Sequence, residues 1–192
     1  MNWHLVLGIA SGIIQIFSVV PYVQSMLRGH TRPNAVSNFL WAFMGVIAIS
    51  AQISAGASWS LLFLMAVTFN TGLITFLALR GYGYKKYTKL DWFCLVLAVA
   101  AILLWQITKE PVVALVLSVC ADLLAAIPTI IKSYRDPQSE LAFGWFLVTI
   151  AATLGILSST IWDVANLIIP TYTLLESILI TSLVFFGQRK TK

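Results

Sequence analysis

Charge is what this chain has least of. Only 10% of its 192 residues are Asp, Glu, Lys or Arg, against about 25% in an average soluble domain, so there is too little polar surface to face water all round. That scarcity excludes a soluble globular domain, a nucleic-acid binder and an ordinary cytosolic enzyme. Two cysteines, Cys94 and Cys120, cannot make a disulfide scaffold, and both lie in apolar runs where a free thiol behaves as a small hydrophobe. The two histidines, His4 and His30, match no ligand spacing, so no metal site is expected. There is no His-Glu-x-x-His, and Gly81-Tyr-Gly83 is too short for a phosphate loop. No serine or cysteine has a histidine at its depth to activate it. The chain therefore reads as a non-enzyme with no cofactor. The first twenty residues lack the basic start and cleavage site of a signal peptide and are read as a mature first helix.

What the chain has is apolar length. Its longest uncharged run, Pro33 to Leu79, is 47 residues. As one helix it would be about 70 Å long, more than twice the ~30 Å hydrocarbon core, so it crosses twice. Apolar runs fall at about 4–27, 35–54, 59–80, 91–108, 111–132, 141–160 and 165–187. Backbone groups in lipid must be satisfied internally, and these runs are too long for barrel strands, so seven transmembrane helices are expected. With the N-terminus outside, the inner side collects Arg28, Arg32, Arg80, Lys85, Lys86, Lys89, Lys132, Arg135, Arg189, Lys190 and Lys192, and the outer side only Lys109. This positive-inside bias predicts N-out, C-in, accounts for the net charge of +5, and puts His4 and His30 on opposite sides.

The chain also repeats itself. A shift of 107 carries Ser11 onto Ser118, Gln15 onto Asp122, Pro21 onto Pro128 and Arg28 onto Arg135; a shift of 104 then pairs Phe39 with Phe143, Trp41 with Trp145 and Ala48 with Ala152. A three-helix unit starts outside and ends inside, so a second parallel copy needs one extra crossing between. The expectation is an all-α membrane protein in a 3+1+3 parallel-repeat plan: residues 1–87 as the first repeat, 88–109 as a linker helix and 110–192 as the second repeat.

In this plan the chain resembles the SWEET and PQ-loop superfamily along essentially its whole length. Val20-Pro21-Tyr22-Val23-Gln24-Ser25 running into Arg28-Gly29-His30-Thr31, and Ile127-Pro128 running into Lys132-Ser133-Tyr134-Arg135, are similar to the Pro-Gln-type corner that ends the first helix of each repeat. Asn70-Thr71-Gly72 is similar to the family's pocket asparagine segment. Neither Pro21 nor Pro128 is followed by glutamine, and the second and sixth runs have no interior proline, so the resemblance bears on the architecture and leaves the solute open. It implies transport by alternating access.

Asp122 and Glu176 sit midway along the fifth and seventh runs, where an ionisable group costs roughly 2.5–3.5 kcal/mol to insert, and no basic residue occupies a helix centre to pair with them. The expected resting state is a neutral acid, or a carboxylate in a wet cavity facing a cation. Either suits proton coupling or a cationic solute; the structural alternative is a hydrogen bond between helices. Gln15 and Asn70 are the uncharged candidates for solute binding. Ser11 and Ser118 lie one turn before Gln15 and Asp122, as pocket residues or helix packing. Trp41 and Trp145 are candidates to close the inner side of a cavity or to anchor at the interface. Pro21 and Pro128 are candidate hinges; the Gly8-x-x-x-Gly12 pair reads as close packing.

The expected function is transport of a small polar solute, such as a sugar, amino acid, amine or vitamin-like molecule, by alternating access with proton coupling open. The partners are the solute, protons and the bilayer of the plasma (inner) membrane, with a monomer or homo-oligomer equally compatible. The rival is a receptor or sorting protein of the same fold, for which Gly81–Lys89 and Asp136–Glu140 are the candidate docking segments.

Overall fold

The computed structural model describes residues 2–84, 89–108 and 110–190. Lys85, Lys86, Lys109 and Lys192 lie outside the described residues, as do the side chains of Cys94, Trp105, Pro128 and Lys190. Among the described residues the backbone is all-α. It forms α1 (Trp3–Leu27), α2 (Ala35–Ser54), α3 (Leu61–Leu77), α4 (Lys89–Thr108), α5 (Pro111–Arg135), α6 (Ala142–Leu157) and α7 (Val164–Lys190).

Their ends follow local chemistry. Asn2 caps α1 by accepting from the Leu5 amide, and Asn34 caps α2 by accepting from Val36 and Ser37, each satisfying amides that the helix leaves free. Pro111 opens α5 at its first position, where a missing N–H costs nothing. α1 stops at Gly29, whose φ of +77° glycine adopts without strain. Beyond Leu77 the third helix widens into one π-helical turn, Ala78–Tyr82.

Among the described residues five stretches are long and apolar enough to cross a bilayer: Trp3–Leu27, Ala35–Ser54, Leu61–Tyr82, Leu115–Arg135 and Val164–Arg189. The sixth apolar run, read from the sequence as a full crossing, departs from that reading. α6 has 16 residues, about 24 Å, because Ser158 and Ser159 end it. The Ser158 hydroxyl turns back to the Gly155 carbonyl and the Ser159 hydroxyl to the Ile161 carbonyl.

The faces are those of a protein solvated by hydrocarbon. On α1 the buried positions include Gly8, Ser11, Gly12, Gln15 and Ser18, while Ile9, Ile13, Ile16, Phe17 and Val20 point outward. A soluble helix would do the reverse; small and polar residues facing inward are how membrane helices approach one another. Gly8 shows why: a Cβ there would stand 2.9 Å from the Trp59 carbonyl oxygen, so the backbones of α1 and of the connection just before α3 approach closely. Trp3, Trp59, Trp92 and Trp162 are exposed, as interfacial anchors would be.

α3 packs against both α1 and α2, and α7 against both α5 and α6. The two trios meet through α1 on α6 and α2 on α5, and α4 lies along α5. An apolar core of Leu40, Met44 and Ala51 from α2, Leu64 from α3, and Leu115 and Ala125 from α5 fills the α2–α5 side. One end of the bundle carries Arg28 and Arg32 between α1 and α2 and Lys132 and Arg135 in the last turn of α5, and this is called the basic end below; the connections 55–60 and 158–163, with no Lys or Arg, form the neutral end.

Candidate functional site

Packing small and polar faces inward leaves a cavity of about 110 Å³ between the two trios. Gln15, Asn70, Asp122 and Glu176, each near the middle of a different helix, all line it, together with Ser118, Trp41 and Trp145. The shift that carries Gln15 onto Asp122 relates two residues that line one space. Asn70 of α3 and Glu176 of α7 line it too. The cavity reaches toward the basic end, where Pro33, Asn34 and Glu140 line it, and stops short of the neutral-end connections.

The polar atoms of this cavity are conspicuous for what they lack. Gln15 and Asn70 are each only 4% exposed, yet Gln15 Oε1 and Asn70 Oδ1 have no hydrogen-bond partner. The same holds for Trp41 Nε1, Asp122 Oδ1, Tyr172 Oη and Glu176 Oε1, and all six residues line the cavity. Each such atom costs about 1–3 kcal/mol when buried alone, and native interiors tolerate only a few. Six such atoms converge on this one small cavity. The orientation of Asn70 is fixed: its amide nitrogen donates to the Gln15 backbone carbonyl and, at 3.4 Å, to Ser18 Oγ, which leaves its oxygen for the cavity.

The basic end is held by one buried carboxylate. Glu140 accepts from Lys132 Nζ at 2.6 Å, Trp145 Nε1 at 3.2 Å and the Tyr22 hydroxyl at 3.4 Å, tying α5, α6 and α1 together. Lys132 also donates to the Arg32 carbonyl, and Gln188 of α7 donates to the Pro137 and Glu140 carbonyls. Trp41 and Trp145 thus differ: the indole N–H of Trp145 is engaged and that of Trp41 is not.

The neutral end is held by amides and hydroxyls. Asn166 of α7 accepts through Oδ1 from Gln52 Nε2 of α2 and the Ser58 amide, and donates to the Gly56 carbonyl and Asp163. Gln52 also donates to Ser60 Oγ, and the Ser58 and Ser159 hydroxyls pair at 3.1 Å. This network joins the connection after α2 to the connection after α6.

Ser11 is outside the cavity; its hydroxyl donates to the Ala151 carbonyl at 2.6 Å, a bond between α1 and α6. Pro21 lies inside α1 and is not among the lining residues; Pro128 lies inside α5, its side chain outside the described residues. Sequence reasoning did not find Tyr22, Tyr172, Gln52 or Asn166, and it read Glu140 as part of a docking segment, whereas Glu140 is buried and turned inward. One signal was available for Tyr172, which precedes Glu176 by four residues and so shares its helix face.

The chain matches no protein-family profile, no curated protein and no solved structure.

Proposed function

We propose that the chain is a transporter for a small polar solute, binding it between two parallel three-helix repeats and exposing it alternately to either side. The observation that carries the reading is the convergence of six unpartnered polar atoms from α1, α2, α3, α5 and α7 on one cavity midway along the helices. The helix packing supports the 3+1+3 plan: renaming α1, α2 and α3 as α5, α6 and α7 turns every contact within and between the trios into another contact, as an axis along the membrane normal requires. The concentration of Arg and Lys at one end supports an N-out, C-in orientation, which makes the basic end cytoplasmic and the neutral end external.

On this reading the neutral-end network is the external gate, closed, and the Glu140 cluster organises the inner side. Asn70 and Gln15 hydrogen-bond the solute. Asp122 and Glu176 exchange a proton or contact a cationic group, and bending near Pro21 and Pro128, where each proline removes a helix hydrogen bond, moves the trios against each other. The test is flux. Protein reconstituted into liposomes should carry a solute that empty liposomes exclude, and Asn70→Ala should abolish uptake in protein that still melts cooperatively. Solute binding without any crossing of the bilayer would refute transport and favour a receptor.

A further inference from the structure

We propose that the guest of this cavity is a small organic cation bearing N–H donors: a primary ammonium on a short alkyl chain. The inference rests on the transport reading for its biological meaning and deepens it by naming the substrate class.

The charge of the walls is the first ground. The lining includes three carboxyl side chains, Asp122, Glu140 and Glu176, and among the described lining residues no Lys, Arg or His. Glu140 is answered by Lys132 at 2.6 Å. Asp122 and Glu176 have no ion-pair partner among the described residues. A buried carboxylate needs a positive partner, and a cationic guest would supply the one these two lack.

Hydrogen-bonding sense is the second ground. Four of the six unpartnered atoms, on Gln15, Asn70, Asp122 and Glu176, are oxygens that accept; one, Trp41 Nε1, only donates; the Tyr172 hydroxyl can do either. An ammonium has three donors and no acceptor and so complements this set. A sugar, whose hydroxyls must accept as well as donate, would find only the indole N–H and the Tyr172 hydroxyl as donors among these atoms. Size and wall chemistry complete the case. A cavity of about 150 Å³ holds the six carbons of benzene, so about 110 Å³ suits a guest of roughly four or five heavy atoms. Met44, Val67, Val148 and Ile169 in the lining would cover a methylene chain, which a bare metal ion would leave in contact with nothing.

The experiment measures binding of n-butylamine, 1,4-diaminobutane, tetramethylammonium, glucose and Mg²⁺ to the detergent-purified full chain by calorimetry at pH 7.5. Uptake of radiolabelled 1,4-diaminobutane and glucose into proteoliposomes is followed in parallel. The two amines should bind, and tetramethylammonium, which keeps the charge but has no N–H, should bind at least tenfold more weakly. Asp122→Asn and Glu176→Gln should each weaken amine binding at least tenfold. Their melting temperatures serve as the folding control, and if one variant fails to fold the other carries the test. Glucose or Mg²⁺ binding as well as the amines would overturn the proposal, as would amine binding indifferent to both substitutions or no binding of any probe to folded protein. Amine binding without amine uptake leaves the ligand class standing and removes transport. Glucose uptake without amine binding removes the ligand class and leaves transport standing.

Discussion

Lys132 and Glu140 form an ion pair whose two halves are buried to very different extents, 23% and 1% exposed, and that inequality predicts unequal costs of breaking it. Lys132→Met strands a carboxylate with almost no access to water, left with only the longer bonds from Trp145 and Tyr22. Removing one partner of a buried pair costs about 3–5 kcal/mol. Glu140→Gln strands no charge: the amide oxygen still accepts from Trp145 and Tyr22, and Lys132 keeps the Arg32 carbonyl and swings toward water. Its cost should be near the upper end for exposed pairs, about 1 kcal/mol. For a chain of this length 1 kcal/mol corresponds to roughly 2–4 °C, so Lys132→Met should lower the melting temperature by roughly 6–20 °C and Glu140→Gln by roughly 2–4 °C. In Lys132→Met/Glu140→Gln no charge is left behind, and the loss should return close to that of Glu140→Gln alone. Thermal unfolding followed by circular dichroism at pH 7.5 in one detergent measures all four proteins. A Glu140→Gln cost equal to or above that of Lys132→Met would refute the account of this cluster, and so would a double variant in which the two losses simply add.

Other expectations follow from single contacts. Gly8→Val should destabilise by about 1–3 kcal/mol, since a Cβ would already meet the Trp59 carbonyl at 2.9 Å; unchanged melting would mean α1 and α3 are not this close. Ser11→Ala should cost only about 0.6 kcal/mol, an average bond between membrane helices, and leave solute uptake intact, in contrast to Asn70→Ala. Asn166→Leu should open the neutral end, read as faster modification of a cysteine placed at Ser118 by an impermeant thiol reagent added from outside; an unchanged rate would show that the network is not the gate. Single cysteines replacing Arg28 and Trp162 should label from opposite faces of sealed vesicles, and labelling from one face would overturn the topology.

Much of the site could be read before any coordinates, for a definite reason. Residues such as Gln15, Asn70, Asp122 and Glu176 are costly in hydrocarbon, so their mere presence midway along apolar runs demands an inward position, and the repeat arithmetic put Gln15 and Asp122 at one depth. The closures at the two ends were not legible. Gln52, Asn166 and Glu140 sit near helix termini or in connections, where polar residues are ordinary and water is close, so nothing in the sequence separates a buried tie from a solvated one. Ser11 and Ser118 occupy equivalent places, yet one bonds α6 and the other lines the cavity; which neighbour each meets depends on packing between the trios, which periodicity along one helix does not contain. The early end of α6 was hidden for a related reason, because Ser158 and Ser159 continue the uncharged run while the Ser158 hydroxyl bonds the Gly155 carbonyl of the last turn and the Ser159 hydroxyl bonds forward to Ile161.

The inward position of two indoles has an optical consequence. Trp3, Trp92 and Trp162 are exposed at the rim of the bundle, where bromine atoms on lipid chains would extinguish their fluorescence by contact. Trp41 and Trp145 line the cavity, half-buried among the helices, and their surroundings differ: one N–H is tethered to a carboxylate and the other has no partner. In brominated bilayers the surviving emission would come chiefly from this pair, and its colour would change as Trp41 acquired a neighbour. The protein thus carries a native lamp inside its own chamber, lit without any label and dimmed or shifted by whatever occupies it.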